Sequence, residues 1–375
     1  MQLSFDKFGT RTILILAALL VVIIGGIVAW SFLNTSSIGS YSNQQSSPSS
    51  DNLDGEKKAI VPLDQIVSGG PPRDGIPSID NPKFVSVQDA GKFLQGADLV
   101  IGVSINGDTR AYPLQILVWH EIVNDVVGGT PVAVTYCPLC FTSQVFVRDI
   151  DGQVVQFGTS GKLYNSNLVM YDRTSESLWS QAMEEGIVGK SAGEKLKKVP
   201  FEVSYWDDWK RQYPDSKVLS IDTGFGRPYG TDPYGDYYTS PRILFPVSHT
   251  DDRLGVKEVV IGLEHDGAFK AYKLQDIEDK KVISDEVNGQ AVVLFSPQSF
   301  SARVFDRAVG NQVLDFKYDP ATGKITDSQT GSEWNFEGKA IKGEMQGKSL
   351  SRIPFDEGFW FSWIAFHPQT ELYAK

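Results

Sequence analysis

Leu99-Val100-Ile101-Gly102-Val103-Ser104, followed by Arg110-Ala111-Tyr112-Pro113-Leu114-Gln115, finds its like in Val259-Val260-Ile261-Gly262-Leu263-Glu264 and Lys270-Ala271-Tyr272-Lys273-Leu274-Gln275. The offset is constant, 271 − 111 = 160. It holds for Asp125 and Asp285, Gly129 and Gly289, and Val132 and Val292. One residue is then lost, and Val145-Phe146 and Arg148 meet Val304-Phe305 and Arg307. The correspondence resumes with Trp179 and Trp334, and with Val199-Pro200-Phe201 and Ile353-Pro354-Phe355. It closes with Trp206 and Trp209 against Trp360 and Trp363, and Tyr213-Pro214 against His367-Pro368. Two long copies in the same order indicate a duplicated domain rather than a solenoid of short units. The expected organisation is a first repeat over 58–222, a connector over 223–243 and a second repeat over 244–375.

Within a copy the signals are mostly those of strands. Runs rich in Val, Ile, Phe and Tyr cover 99–104, 131–136, 143–148 and 153–157, and Asn106-Gly107, Gly128-Gly129 and Asp151-Gly152 punctuate them. Helices are expected over Leu114 to Val123 and within Glu202 to Tyr213. The expected fold is a β-rich α+β class, with the two diverged tandem copies packed as pseudo-equivalent halves after an N-terminal transmembrane helix. The tryptophans Trp179, Trp206, Trp209, Trp334, Trp360 and Trp363 pair between the copies and read as core.

Outward from the repeats, the N-terminal part has a different character. Residues 13–33 carry no charge and are mostly Leu, Ile, Val and Ala. At ~1.5 Å per residue such a run crosses the ~30 Å hydrocarbon core of a bilayer. Lys7 and Arg11 precede it and the next charge after it is Asp51. The excess of positive charge on one side places residues 1–12 in the cytoplasm and the body of the protein outside, on a single-pass anchor in the cell membrane. A cleaved signal peptide is the rival, and the length of the run favours the retained anchor. Residues 34–57, rich in Ser, Asn, Gln and Gly, read as a flexible tether. The formal net charge of −11 argues against a nucleic-acid partner.

The copies differ in their reactive residues. At the offset of 160, Cys137 falls on Pro297, Cys140 on Phe300 and His120 on Lys280. What is shared is scaffold, and what is unshared is chemistry. Cys137-Pro138-Leu139-Cys140 holds the chain's two cysteines. A structural bridge over so short a loop constrains the unfolded chain little, so reversible redox chemistry or chelation of a soft metal suits the pair better. The strand expected to end at Cys137 returns antiparallel to the His120 segment, which brings the imidazole toward the sulfurs. Two thiolates and an imidazole favour copper over zinc, because structural zinc takes four protein ligands. Met170 is the candidate weak extra ligand, and core packing explains it equally well. The alternatives are thiol–disulfide exchange at Cys137 and Cys140, and a non-catalytic ligand- or partner-binding module. Asp125 and Asp172, matched by Asp285 and Asp327, read as structural. His249 and His265 lie in polar, turn-like stretches, and His367 fills the place of Tyr213. Phe141 follows Cys140, so no covalent c-type haem motif is present, and no phosphate loop or nucleotide motif is found.

Several motifs together resemble a known family. They are Gly69-Gly70-Pro71-Pro72-Arg73-Asp74-Gly75-Ile76-Pro77, Asp80-Asn81-Pro82-Lys83-Phe84, Arg110-Ala111-Tyr112-Pro113, Trp119-His120-Glu121-Ile122-Val123-Asn124-Asp125 and Val134-Thr135-Tyr136-Cys137-Pro138-Leu139-Cys140. Phe157-Gly158-Thr159-Ser160-Gly161, Leu168-Val169-Met170-Tyr171-Asp172-Arg173-Thr174 and Leu178-Trp179-Ser180-Gln181 follow. The set resembles the domain of unknown function 3179 family over nearly all of Gly69 to Lys375. That resemblance implies a fold and a site at His120, Cys137 and Cys140, and no reaction.

Overall fold

Two-residue hairpins set the framework. Asn106-Gly107, Gly128-Gly129, Asp266-Gly267 and Asn288-Gly289 all have positive φ at both residues, the backbone that matches strand twist in a tight hairpin. They join Leu99–Ile105 to Asp108–Pro113, Ile122–Val127 to Thr130–Cys137, Val259–His265 to Ala268–Lys273, and Val282–Val287 to Gln290–Phe295. The computed structural model describes residues 58–374. The expected cytoplasmic segment 1–12, anchor 13–33 and tether 34–57 lie outside the described residues. Among the described residues no helix is long and apolar enough to cross a membrane.

The class is β-rich α+β. One five-stranded sheet runs in the order Phe201–Tyr205, Leu99–Ile105, Asp108–Pro113, Lys217–Leu219, Phe84–Ser86. Another runs Ile66–Ser68, Phe157–Tyr164, Asn167–Asp172, Leu178–Ser180, Glu185–Val188. A seven-stranded sheet runs Glu371–Leu372, Ala268–Lys273, Val259–His265, Asp356–Phe359, Thr142–Val147, Thr130–Cys137, Ile122–Val127. It joins early and late parts of the chain where Glu357 pairs with Ser143.

Side chains of one kind recur at matching places. Trp209 lies across Gly102 and Trp363 across Gly262, so closely that a Cβ would come within 1.9 Å and 2.2 Å of the indole. Only glycine leaves that space. The indole Nε1 of Trp179 donates to Asp172 Oδ2 and that of Trp334 to Asp327 Oδ2, both at 2.9 Å. Tyr112 donates to Asp125 and Tyr272 to Asp285, and each aspartate also pairs with a cation, Arg110 or Lys270. These aspartates hold the fold together, as their pairing in the sequence predicts. His367 stacks on Phe269 with ring centroids 4.1 Å apart, and burial drives its pKa down to about 4. It is a packing residue. All six paired tryptophans are buried.

The helices are shorter than the sequence suggests. The expected helix from Leu114 to Val123 stops at Leu117. Glu121 takes a left-handed φ of 58° and Ile122 begins a strand paired to Thr135. Two β-branched residues and a waiting strand outweigh the helical pattern there. The second helix covers Trp206–Gln212 within its expected range. Residues 223–243 are ordered, with a single 3-10 turn at Gly235–Tyr238.

Candidate functional site

The strand Thr130–Cys137 ends at the first cysteine, and the Cys137-Pro138-Leu139-Cys140 turn leads into Thr142–Val147. Both thiols are free and buried. They sit in an apolar cluster with Leu139, Phe146, Met170, Tyr237, Phe359 and Phe361. The late part of the chain closes this cluster: Phe359 N donates to Cys140 O at 2.8 Å, and the Phe359 ring stacks on Phe141 at 5.2 Å.

One polar chain reaches the sulfurs, and its direction can be worked out from groups with a single role. Gln144 O can only accept, and it takes the hydroxyl proton of Thr135 at 2.9 Å. Thr135 Oγ1 therefore accepts from Gln181 Nε2 at 2.8 Å, which turns Gln181 Oε1 toward Asn167 Nδ2 at 3.2 Å. Ala182 N can only donate, and it holds Asn167 Oδ1 at 3.1 Å. Both constraints set the Asn167 amide the same way, and Nδ2 donates to Cys140 Sγ at 3.0 Å. Cys140 is thus an acceptor. Its contact with the Cys137 carbonyl, at 3.8 Å, is long for a thiol donor.

The two thiols differ in acidity as a result. Burial pushes the Cys140 thiol up, but hydrogen bonds from Cys137, Thr142 and Asn167 outweigh it and hold the group below the ordinary thiol value. Burial, then its hydrogen bond and charge interaction with Cys140, pushes Cys137 well above that value. Glu121 is the third titratable group here. Its carbonyl accepts from Tyr136 N, one residue before Cys137. Burial first, and the charge on Cys140 second, raise its carboxyl to about 8. In so desolvated a place a negative charge on Cys140 disfavours a second one on Glu121. The sequence reading passed over Glu121 because a glutamate beside a histidine in a helical pattern carries no distinguishing signal.

His120 is fully buried, but its nitrogens face elsewhere. Nδ1 lies 2.7 Å from the Pro77 carbonyl, which can only accept, so the ring proton is on Nδ1. Nε2 then accepts from Tyr229 OH at 2.6 Å. Burial and the nearby charge of Arg227 hold this histidine below its usual pKa, against the opposing bond to Pro77. The structure joins Cys137 to Cys140 and gives His120 other partners. Among the described residues no three His, Cys, Asp or Glu side chains are grouped to hold a metal ion. Met170 is wholly buried in the same cluster as the cysteines, in register with Trp179 and Thr159.

Fold and site together define a β-rich α+β protein with a buried dithiol on the turn after a strand. The chain belongs to the DUF3179 family, described as a protein of unknown function, whose model matches residues 73–370. No curated protein and no solved structure matches it.

Proposed function

We propose that Cys137 and Cys140 form a redox-active dithiol that exchanges with disulfides. The observation that carries this reading is the Asn167 amide, locked from both ends so that its N–H points at Cys140 Sγ. A donor fixed on one sulfur stabilises a thiolate, and the thiolate is the nucleophile in thiol–disulfide exchange. Cys140 Sγ attacks one sulfur of a partner disulfide. The partner S–S bond breaks, and its other sulfur leaves as a thiolate. Cys137 passes its proton to that thiolate, and its own sulfur attacks Cys140 Sγ and expels the second partner sulfur as a thiolate. The dithiol loses two electrons and the partner disulfide gains them.

Copper held by the same two thiolates is the second reading, supported by two soft donors in an apolar enclosure. His120 joins such a site only if its bond to Tyr229 breaks. Zinc is less favoured, because four protein donors are wanted. The test measures metal content and free thiols on one sample of the purified chain. A pair that cycles with a dithiol and a test disulfide, without metal, supports exchange. Near-stoichiometric copper that disappears in Cys140→Ser supports the metal, and a pair inert to both refutes the two readings together.

We also infer that 58–222 and 244–375 are diverged copies packed as pseudo-equivalent halves. The recurring hairpins, glycine–tryptophan contacts and indole–aspartate bonds support this. In that alignment the lost residue lies within the cysteine turn, since Phe141 and Phe300 share the left-handed conformation. Cys140 then corresponds to Ser299 rather than Phe300. The uncharged run 13–33 supports a membrane anchor with the dithiol outside the cytoplasm, where disulfides persist.

A further inference from the structure

The thiols are 1% and 0% exposed, yet the segment above them is not part of any sheet. Residues 223–243 cross the site with one short turn of their own. What fastens them is a set of side-chain bonds. Trp119 Nε1 donates to Thr231 O at 3.1 Å, and Tyr229 OH lies between His120 Nε2 and Thr223 Oγ1. Tyr237 OH donates to Leu139 O at 2.7 Å, inside the cysteine turn itself. Lys257 Nζ lies 3.2 Å from the centre of the Tyr237 ring and donates to that residue's carbonyl. Tyr234, Tyr237 and Tyr238 pack against one another, and Tyr237 belongs to the cluster around Cys137 and Cys140.

We propose that residues 223–243 are a gate over the dithiol, and that Tyr237 is the specificity-determining residue that decides what reaches the sulfurs. The inference deepens the redox reading and rests on it for its biological sense. Segments held by a few side-chain bonds open locally at far lower cost than paired strands. Closed, the gate covers both sulfurs. Open, it admits an extended cystine-bearing peptide. His120 is then a positioning residue, an anchor for the gate through Tyr229, which explains why both its nitrogens are occupied.

The test alkylates the reduced full-length chain with iodoacetamide and, separately, with a maleimide on a long polyethylene glycol chain. The wild type is expected to react slowly with both, most slowly with the bulky reagent, at rates insensitive to low urea. Tyr237→Phe loses one hydrogen bond and Tyr229→Phe loses two. Both are expected to speed the bulky reagent roughly two- to tenfold, with urea midpoints shifted by no more than the one or two hydrogen bonds removed. Unchanged rates in both variants overturn the proposal. So does a wild-type rate that climbs with urea as steeply as global unfolding, since access would then require unfolding the domain. Alkylation involves no exchange partner, so a dithiol that fails to cycle leaves this result standing, and the reverse is also true.

Discussion

Replacing Asn167 by leucine in a Cys137→Ser background leaves one thiol and removes the donor aimed at it. The lost bond is an N–H to sulfur contact of 3.0 Å, in a place with no exposed surface. A hydrogen bond to a charged group contributes about 1.5–3 kcal/mol. At 1.36 kcal/mol per pKa unit, the Cys140 thiol should rise by about 1–2 units. The assay is the thiolate absorbance in the ultraviolet as a function of pH, compared with Cys137→Ser alone. The substitution also strips partners from Gln181 Oε1 and Ala182 N. A loss of stability of about 1–3 kcal/mol is therefore expected alongside. Each titration must be confined to pH values at which the variant stays folded. A thiol pKa that does not move, in a variant that remains folded, refutes the reasoning, because the Asn167 bond would then not be what sets the acidity of Cys140.

Three further outcomes follow from the packing. Glu357 is buried where the early and late parts of the chain pair, its Oε1 and both amide atoms of Gln144 have no partner among the described residues, and burial, then the charge of Glu278, raises it to about 8. A carboxyl raised on folding contributes stability below its unfolded pKa and loses it as pH climbs from about 4.5 to about 8, so Glu357→Gln should flatten that decline by a few kcal/mol in urea midpoints taken across pH. Arg303 is wholly buried against Glu202, with Nη2 to Oε1 at 3.1 Å; Glu202→Leu leaves the guanidinium with exposed Glu337 and the Phe336 carbonyl and should cost about 3–5 kcal/mol in denaturant unfolding. Gly102→Ala and Gly262→Ala each force a methyl group into an indole, and each should lower stability by at least about 1–3 kcal/mol.

Periodic signals carried the fold a long way. Runs rich in Val, Ile, Phe and Tyr and the turn dipeptides Asn106-Gly107, Gly128-Gly129 and Asp151-Gly152 predict strands and hairpins, because strand propensity and positive-φ turns are local properties. The internal correspondence marked Asp125, Asp172 and His367 as scaffold, and each has the structural partner that this implies. Local pattern failed where a distant strand competed, as at Ile122 and Val123, which leave the expected helix to pair with Thr135 and Val134.

The sequence alone determined that the chain's two cysteines, Cys137 and Cys140, lie in only one of two matching segments. The tertiary structure decided which partner each one meets. Asn167 is 27 residues from Cys140, and nothing in its own neighbourhood marks it as a donor to sulfur. His120 has the composition of a ligand, but its ring is turned to Pro77 and Tyr229, the latter 109 residues away. Hydrogen bonds act over about 3 Å and demand direction. Whether two side chains form one depends on register, turn conformation and burial, and these exist only once the chain has folded.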